Sequence, residues 1–273
     1  MKLMIMTDLE GVAGILNFED WCVPGAMYYD KAKKLLTLEV NAAVDGFSEG
    51  GAEEILVVDG HGHGAMDPEL LDERAQLMRG HAAPIWPWSL DGSYHGVAYV
   101  GQHAKAGTPW SHLTHTGSFA CVDYAINGIS IGEYGQLVLC AMELGVPAIF
   151  AAGEEAFAAE AEALTPGVVT VGVKRGLLPD GLEDLDADAY SRAKLSAVNL
   201  APARSRTLIR EGAREAIEKL KGNPSSFRYP EMTPPYVRTA SYRKRGDSPG
   251  FSTRDEHPDS IIGLMNMPQT RLA

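Results

Sequence analysis

The chain has 273 residues, 45% of them hydrophobic, enough to bury a full core in one large domain or one domain with a smaller appendage. Its formal net charge of −12 argues against nucleic acid and anionic membrane surfaces as partners, since either wants a basic face. Three cysteines (Cys22, Cys121 and Cys140), odd in number and without CxxC spacing, fit reduced thiols in a cytoplasm better than a disulfide framework.

Residues 3–7 read as a short strand that ends in Asp8 and Glu10. These acids interrupt the apolar run too early for a signal peptide, and no apolar stretch approaches the roughly 18 residues of a membrane span. Side chains alternate along a strand, so both carboxylates point to one side if the extended geometry persists. Like charges held together need a cation or a proton between them. Residues 32–47 place Leu36, Val40, Val44 and Phe47 on one helical face, closed by Gly50 and Gly51. Residues 55–58 form a continuous apolar run before Asp59, the pattern of a strand buried on both faces, and 97–100 repeats it. A helix is predicted over 133–144, a strand over 148–151, an Ala/Glu-rich helix over 154–164 and a strand over 168–173. A charged helix over 203–221 carries Leu208, Ile209, Ala213, Ala216, Ile217 and Leu220 on one side.

This alternation predicts an α/β fold with a largely parallel sheet flanked by helices, within a domain spanning 1–222. From 223 to 273 the texture changes. Pro224, Pro230, Pro234 and Pro235 punctuate a polar stretch, 236–242 reads as a strand, and little periodicity follows, so a smaller C-terminal portion is expected, packed on the same domain or apart from it. The basic run Tyr242 to Arg245 reads as a solvated turn.

In parallel α/β sheets, sites gather outside the carboxyl ends of the strands. Asp8, Glu10, His61 and His103 each sit just past such an end, and carboxylates with imidazoles are the makings of a metal site. Seven of the eight histidines fall between 61 and 115: His61, His63, His81, His95, His103, His112 and His115. A lone histidine is most often a surface or hydrogen-bonded core residue. His61 and His103 escape that reading because each follows a buried strand and meets glycine-rich backbone. In Asp59-Gly60-His61-Gly62-His63-Gly64 the glycines let backbone come close to a ligand, but the spacing matches no phosphate loop. His61 is preferred to His63 because it lies nearer the strand end, with Asp59 placed to orient a neighbour. Glu133 after Gly132, and likewise Glu154 and Glu155, read by themselves as carboxylates favoured by a helix dipole. The loop 103–117 carries Lys105, Trp110, His112 and His115, unusual content for a connector.

Five stretches together resemble the bacterial zinc-dependent D-aminopeptidases encoded with dipeptide-transport genes. They are Met-Thr-Asp-Leu-Glu-Gly at 6–11, Val-Asp-Gly-His at 58–61, Gly-Gln-His-Ala-Lys-Ala-Gly-Thr-Pro at 101–109, Thr-His-Thr at 114–116 and Ile-Asn-Gly-Ile-Ser-Ile-Gly-Glu at 126–133. Their order and spacing agree over about residues 1 to 220. The resemblance implies two zinc ions held by Asp8, Glu10, His61, His103 and Glu133, with Asp8 bridging the pair. It implies a catalytic role for His115, a nucleophile in the family's scheme, and release of N-terminal D-amino acids, D-alanine foremost, from short peptides or amides. It also implies a closed homo-oligomer, a ring-like decamer with enclosed active sites. Matching 109–115 needs a one-residue insertion, which leaves His112 as the alternative to His115. Trp110 and the 226–242 stretch are candidates for lining the substrate pocket.

Physically, two divalent ions can clamp a carbonyl and activate water, so a proton-shuttling His115 is preferred to direct attack by its imidazole. Two rival readings stand beside this one. The first is a two-metal hydrolase of another small amide, ester or phosphoester, although Lys105 is the only cation in the key loop. The second is a metal-dependent binding protein without turnover, which would have no use for a spare base at His115.

Overall fold

The computed structural model describes residues 1–80, 84–179 and 181–272, so His81 lies outside the described residues. In chain order the elements are β1 (Lys2–Thr7), α1 (Phe18–Trp21), α2 (Tyr29–Glu49), β2 (Glu54–Asp59), β3 (Ala75–Met78), β4 (Gly96–Gln102), β5 (Cys121–Ile126), β6 (Ile129–Ser130), α3 (Glu133–Glu143), β7 (Ala148–Glu154), α4 (Glu155–Leu164), β8 (Val169–Gly176), α5 (Ala187–Ser191), β9 (Ala197–Asn199), α6 (Pro202–Gly222), β10 (Tyr236–Tyr242), β11 (Phe251–His257) and α7 (Ile261–Asn266).

The main sheet runs β3-β2-β1-β4-β7-β8-β9, parallel throughout except for β9, which is antiparallel to β8. Its central strands β1, β4 and β7 are buried on both faces, and their side chains divide accordingly. Leu3 and Ile5 of β1 join a core with α2 and α6, while Met4 and Met6 join one with α3, α4 and α7. This two-sided burial is why the strands read as apolar runs without alternation. β1 lies between β2 and β4, and Thr7 is in register with Asp59 on one side and Val100 on the other. β1 and β2 therefore end level, and β4 runs two residues further to Gln102. Asp8, His61 and His103 follow those ends and are neighbours for that reason. The sheet also reverses its winding direction between β1 and β4, where ligand crevices form in such folds.

A second sheet, antiparallel in the order β11-β10-β5-β6, covers the α3 side. The segment beyond 242 holds β11 and α7, which the sequence reading left without structure. Its inward residues on β11 are Thr253 and Asp255, polar and so invisible to a hydrophobic pattern. Asp255 accepts from Arg238 Nη2 at 2.7 Å, and Arg238 also donates to the carbonyls of Leu264, Met267 and Pro268. A buried guanidinium thus pins α7 and the tail to β10. Arg243, expected in a solvated turn, is instead buried with its guanidinium 3.8 Å from the Tyr190 ring centroid.

Glu39, buried in α2, ties the loop after β1 to α6. Its Oε1 accepts from Ala13 N at 3.2 Å and Ser205 Oγ at 2.6 Å. Burial pushes its carboxyl up to about 7 against those hydrogen bonds. A folded value above the ordinary 4.5 means that its contribution is fully present below 4.5 and is lost as pH rises through 7. Glu39→Gln keeps an acceptor and cannot ionise. It should exceed wild type in stability at pH 8 by on the order of 2 kcal/mol, a gap that closes toward pH 5, as read by urea unfolding at both pH values. The same difference at both pH values would refute the assignment.

Candidate metal centre

β1 ends at Thr7, so Asp8 and Glu10 do not alternate along a strand as the sequence reading allowed. They meet because the chain turns tightly against β4, with Asp8 N donating to Val100 O at 3.0 Å and Gly11 N to Gly101 O at 2.7 Å. At Gly11 a Cβ would stand 2.0 Å from Gln102 O, and at Gly101, with φ +82, 2.1 Å from Asp8 O. Two backbones in contact at this crossing bring the carboxylates of one beside the histidine of the other.

His61 Nδ1 lies 3.2 Å from both Asp8 Oδ1 and Glu10 Oε2. His103 Nε2 lies 3.2 Å from Asp8 Oδ2 and 3.6 Å from Glu133 Oε2. His115 Nε2 lies 3.8 Å from Glu133 Oε1, and its ring stacks on that of His103 with centroids 4.0 Å apart. The structure therefore brings all six residues singled out in the sequence into one cluster. Potential ligand atoms of Asp8, Glu10 and His103 fall within 4.8 Å of one another, as do those of His103, His115 and Glu133.

The three imidazoles share one arrangement. His61 Nε2 faces Cys22 O at 2.7 Å, His103 Nδ1 faces Ala104 O at 2.8 Å and His115 Nδ1 faces Leu113 O at 2.9 Å. Each ring donates one N–H to a main-chain carbonyl and turns its other nitrogen toward the carboxylates, as metal-binding histidines do. Glu10 Oε2 and His103 Nε2 are buried without a hydrogen-bond partner. Nitrogen and oxygen donors, two of them orphaned, suit a divalent cation of the zinc class.

The electrostatics report the same demand. Burial and neighbouring Glu10 push the Asp8 carboxyl up to about 7. Burial would lower His61, but Glu10 and Asp8 drive it up to about 12. His103, also buried, is raised to about 10 by Glu133 and Asp8. Burial would raise Glu133, yet charged His103 and the Gly117 N–H hold it at about 2. His115 moves the other way: burial and the adjacent His103 lower it, keeping the imidazole neutral.

His112 does not join the cluster. Its Nε2 faces Leu16 O at 3.2 Å, and burial with nearby Lys174 pushes it down to about 3. His63 is exposed on the rim, its ring 6.4 Å from that of His61. Asp59 accepts from Ala65 N and Met66 N, shaping its own loop rather than orienting an imidazole.

Three supporting residues escaped the sequence reading. Arg79 donates to the carbonyls of Asp59, His61 and Gly62, fixing the glycine-rich loop from behind. Gln102 Nε2 donates to Asp8 Oδ2 at 3.1 Å and Glu133 Oε2 at 3.3 Å. Glu154, expected as a helix-start acid, is buried and accepts from Ala104 N and His112 N, fastening the histidine loop at two points. Glu155 does keep the surface role, pairing with Arg175. An arginine bound to loop carbonyls and a buried glutamate leave no period in a sequence, so no local signal marks Arg79 or Glu154.

Asp8, Glu10, His61, His115 and Glu133 line a cavity of about 330 Å³ together with Phe18, Trp86, Trp88, Tyr99 and Gln136, with His103 behind them. A second cavity of about 380 Å³ adjoins it, sharing Phe18, His63, His115 and Gly117. Trp110, proposed from the sequence as a pocket wall, is half exposed and lines neither cavity, and no residue of 226–242 lines them.

A family model described as D-aminopeptidase matches residues 1–247. A D-aminopeptidase of Bacillus subtilis (strain 168) is 31% identical over 177 residues, 64% of this chain. That match spans 64% of the relative's own length, just under two thirds. Among solved structures, the Zn-dependent D-aminopeptidase DppA from Bacillus subtilis, a self-compartmentalizing protease, has the same fold, with a TM-score of 0.82 at 24% identity over 97% of this chain and 94% of that one.

The backbone crossing at Gly11 generates a direct test. A methyl there meets main chain that cannot step aside, so Gly11→Ala should cost about 3 kcal/mol in stability, at the upper end for overpacking, read as a lowered thermal midpoint. Gly62→Ala, with nothing within 4 Å of its Cβ, is the control and should melt close to wild type.

Proposed function

The chain belongs to the D-aminopeptidase family, and from that membership we propose that it is a zinc-dependent aminopeptidase that releases D-amino acids from the free amino terminus of short peptides or amides. The observation that carries this reading is the shared arrangement of His61, His103 and His115, each anchored by a carbonyl and aimed into the carboxylate cluster.

Asp8, Glu10, His61, His103 and Glu133 would hold two zinc ions. Asp8 would serve both, because its two oxygens already face different imidazoles. When bound, such ions polarise a carbonyl and make water acidic enough to attack it near neutral pH. His115 then acts as the proton carrier. Its Nδ1 is committed to Leu113 O, so Nε2 takes the proton from the attacking water and returns it to the departing amine. Glu133 Oε1, near that nitrogen, stabilises the charge the ring acquires. Phe18 and Phe119 pack around the ring and exclude water, which keeps it neutral beforehand. The second cavity, reached past His115, offers the leaving portion a path.

A phosphoester substrate fits poorly. Among the described residues lining the first cavity there is no lysine or arginine, and Arg79 donates to main-chain carbonyls instead. A binding role without turnover would leave the free Nε2 of His115 without a task. We further propose a closed homo-oligomer, a decamer by family resemblance. Leu16, Trp110 and Val198, each about half exposed, supply apolar surface for contacts. The three buried, unpaired cysteines favour the cytoplasm, and no described helix is long and apolar enough to cross a membrane.

Matched D- and L-aminoacyl anilides, assayed with zinc, test the reading. D-substrates should be cleaved and L-substrates should not. Chelation should abolish the rate. His115→Ala should lower kcat by about 100-fold or more, as expected for loss of a general base. Asp8→Ala should lose more zinc than Glu10→Ala by elemental analysis. Preference for L-substrates would reject the D-specific assignment, and full rates in His115→Ala would remove that residue from the chemistry. Light scattering that gives an active monomer would reject the oligomer.

A further inference from the structure

Beside the polar residues, the cavity is lined by Met6, Trp86, Trp88 and Tyr99. The rings of Trp86 and Trp88 stand at 90° with centroids 6.3 Å apart, forming a corner of two indoles. Both are partly buried and line the cavity.

This corner is held at a conformational cost. Trp88 has φ 59 and Ser89 has φ 65, two successive residues with side chains in the left-handed region. Each such residue costs about 1 kcal/mol or more, and it persists only where surrounding contacts over-determine it. Those contacts are present. Trp88 N donates to Ile85 O and Leu90 N to Pro87 O, while Leu90 itself is buried. Asn266 at the end of α7 binds both main-chain polar groups of Trp86, accepting from its N at 3.1 Å and donating to its O at 3.0 Å. The Tyr99 hydroxyl donates to Glu133 O at 3.2 Å, which links this lining to the cluster. A rigid aromatic corner beside a reactive centre is preorganised for one kind of occupant. Rings pack well edge-to-face, and a third ring would fill the corner, whereas a methyl group would leave it wet.

We propose that this corner receives the side chain of the substrate's first residue and selects aromatic or large apolar side chains over the methyl of alanine. The proposal rests on the aminopeptidase reading for what lies at the cluster, and it departs from the D-alanine that family resemblance implies.

Two measurements on the zinc-loaded protein separate the proposal from that reading. The first is calorimetric binding of free D-phenylalanine and D-alanine, which requires no turnover. The second is kcat/KM for the matching D-aminoacyl anilides. D-phenylalanine should bind at least tenfold tighter than D-alanine, and its anilide should be cleaved at least tenfold more efficiently. Trp88→Ala should lower that ratio at least tenfold, while Trp88→Phe, which keeps a ring and guards against a folding defect, should retain most of it. Equal or tighter binding of D-alanine by wild type would overturn the proposal, as would a ratio unmoved by Trp88→Ala. Tight D-phenylalanine binding without cleavage of any anilide would support the corner and reject the peptidase reading. Efficient cleavage that favours D-alanine would keep the peptidase and reject the corner.

Discussion

Three carboxylates, buried Asp8 and Glu10 and partly buried Glu133, face one cluster of imidazoles, and the molecule must supply positive charge among them. In the structure His61 and His103 do so by being driven far above the ordinary imidazole range. A divalent cation would do it with less desolvated repulsion, and the rings are already turned to receive one. Much of the surrounding construction serves this cluster. The Gly11–Gly101 contact sets the carboxylates beside β4, Arg79 fixes the loop of His61, and Glu154 fixes the loop of His103 and His115.

The same demand reaches behind the site. Lys174 is buried on β8, its Nζ 3.3 Å from Ile15 O, and burial lowers its amine against the pull of Glu154. Glu154 is itself pushed up to about 7 by burial. A lone buried lysine or glutamate would be costly, and here each moderates the other while Glu154 holds two loop amides. Such a network gives little net stability compared with apolar packing, so its value lies in fixing geometry.

The C-terminal segment contributes to the site although none of its residues enters the cluster. Arg238 fastens α7 through three carbonyls, and α7 presents Asn266 to Trp86. The aromatic lining of the cavity therefore depends on β10, β11 and α7. This dependence gives physical sense to a polar, proline-punctuated stretch that is featureless as a string.

The sequence by itself determined the parallel α/β class, because strands buried on both faces must be continuously apolar and the helices between them amphipathic. It also marked Asp8, Glu10, His61 and His103, since titratable residues just past such strands have few structural reasons to be there, whereas Glu133 and His115 stood out only through the resemblance to the family's motifs. Only the tertiary structure decided which strand ends are adjacent, through the register of β2, β1 and β4. It alone separated His115 from His112, two residues in one loop whose rings face opposite surroundings. It replaced Trp110 with Trp86 and Trp88 as the aromatic wall, and it revealed Arg79, Glu154 and Arg238 as supports. Periodicity records which side of an element meets the core; hydrogen bonds between distant loops leave no period, so they become visible only when the chain has folded.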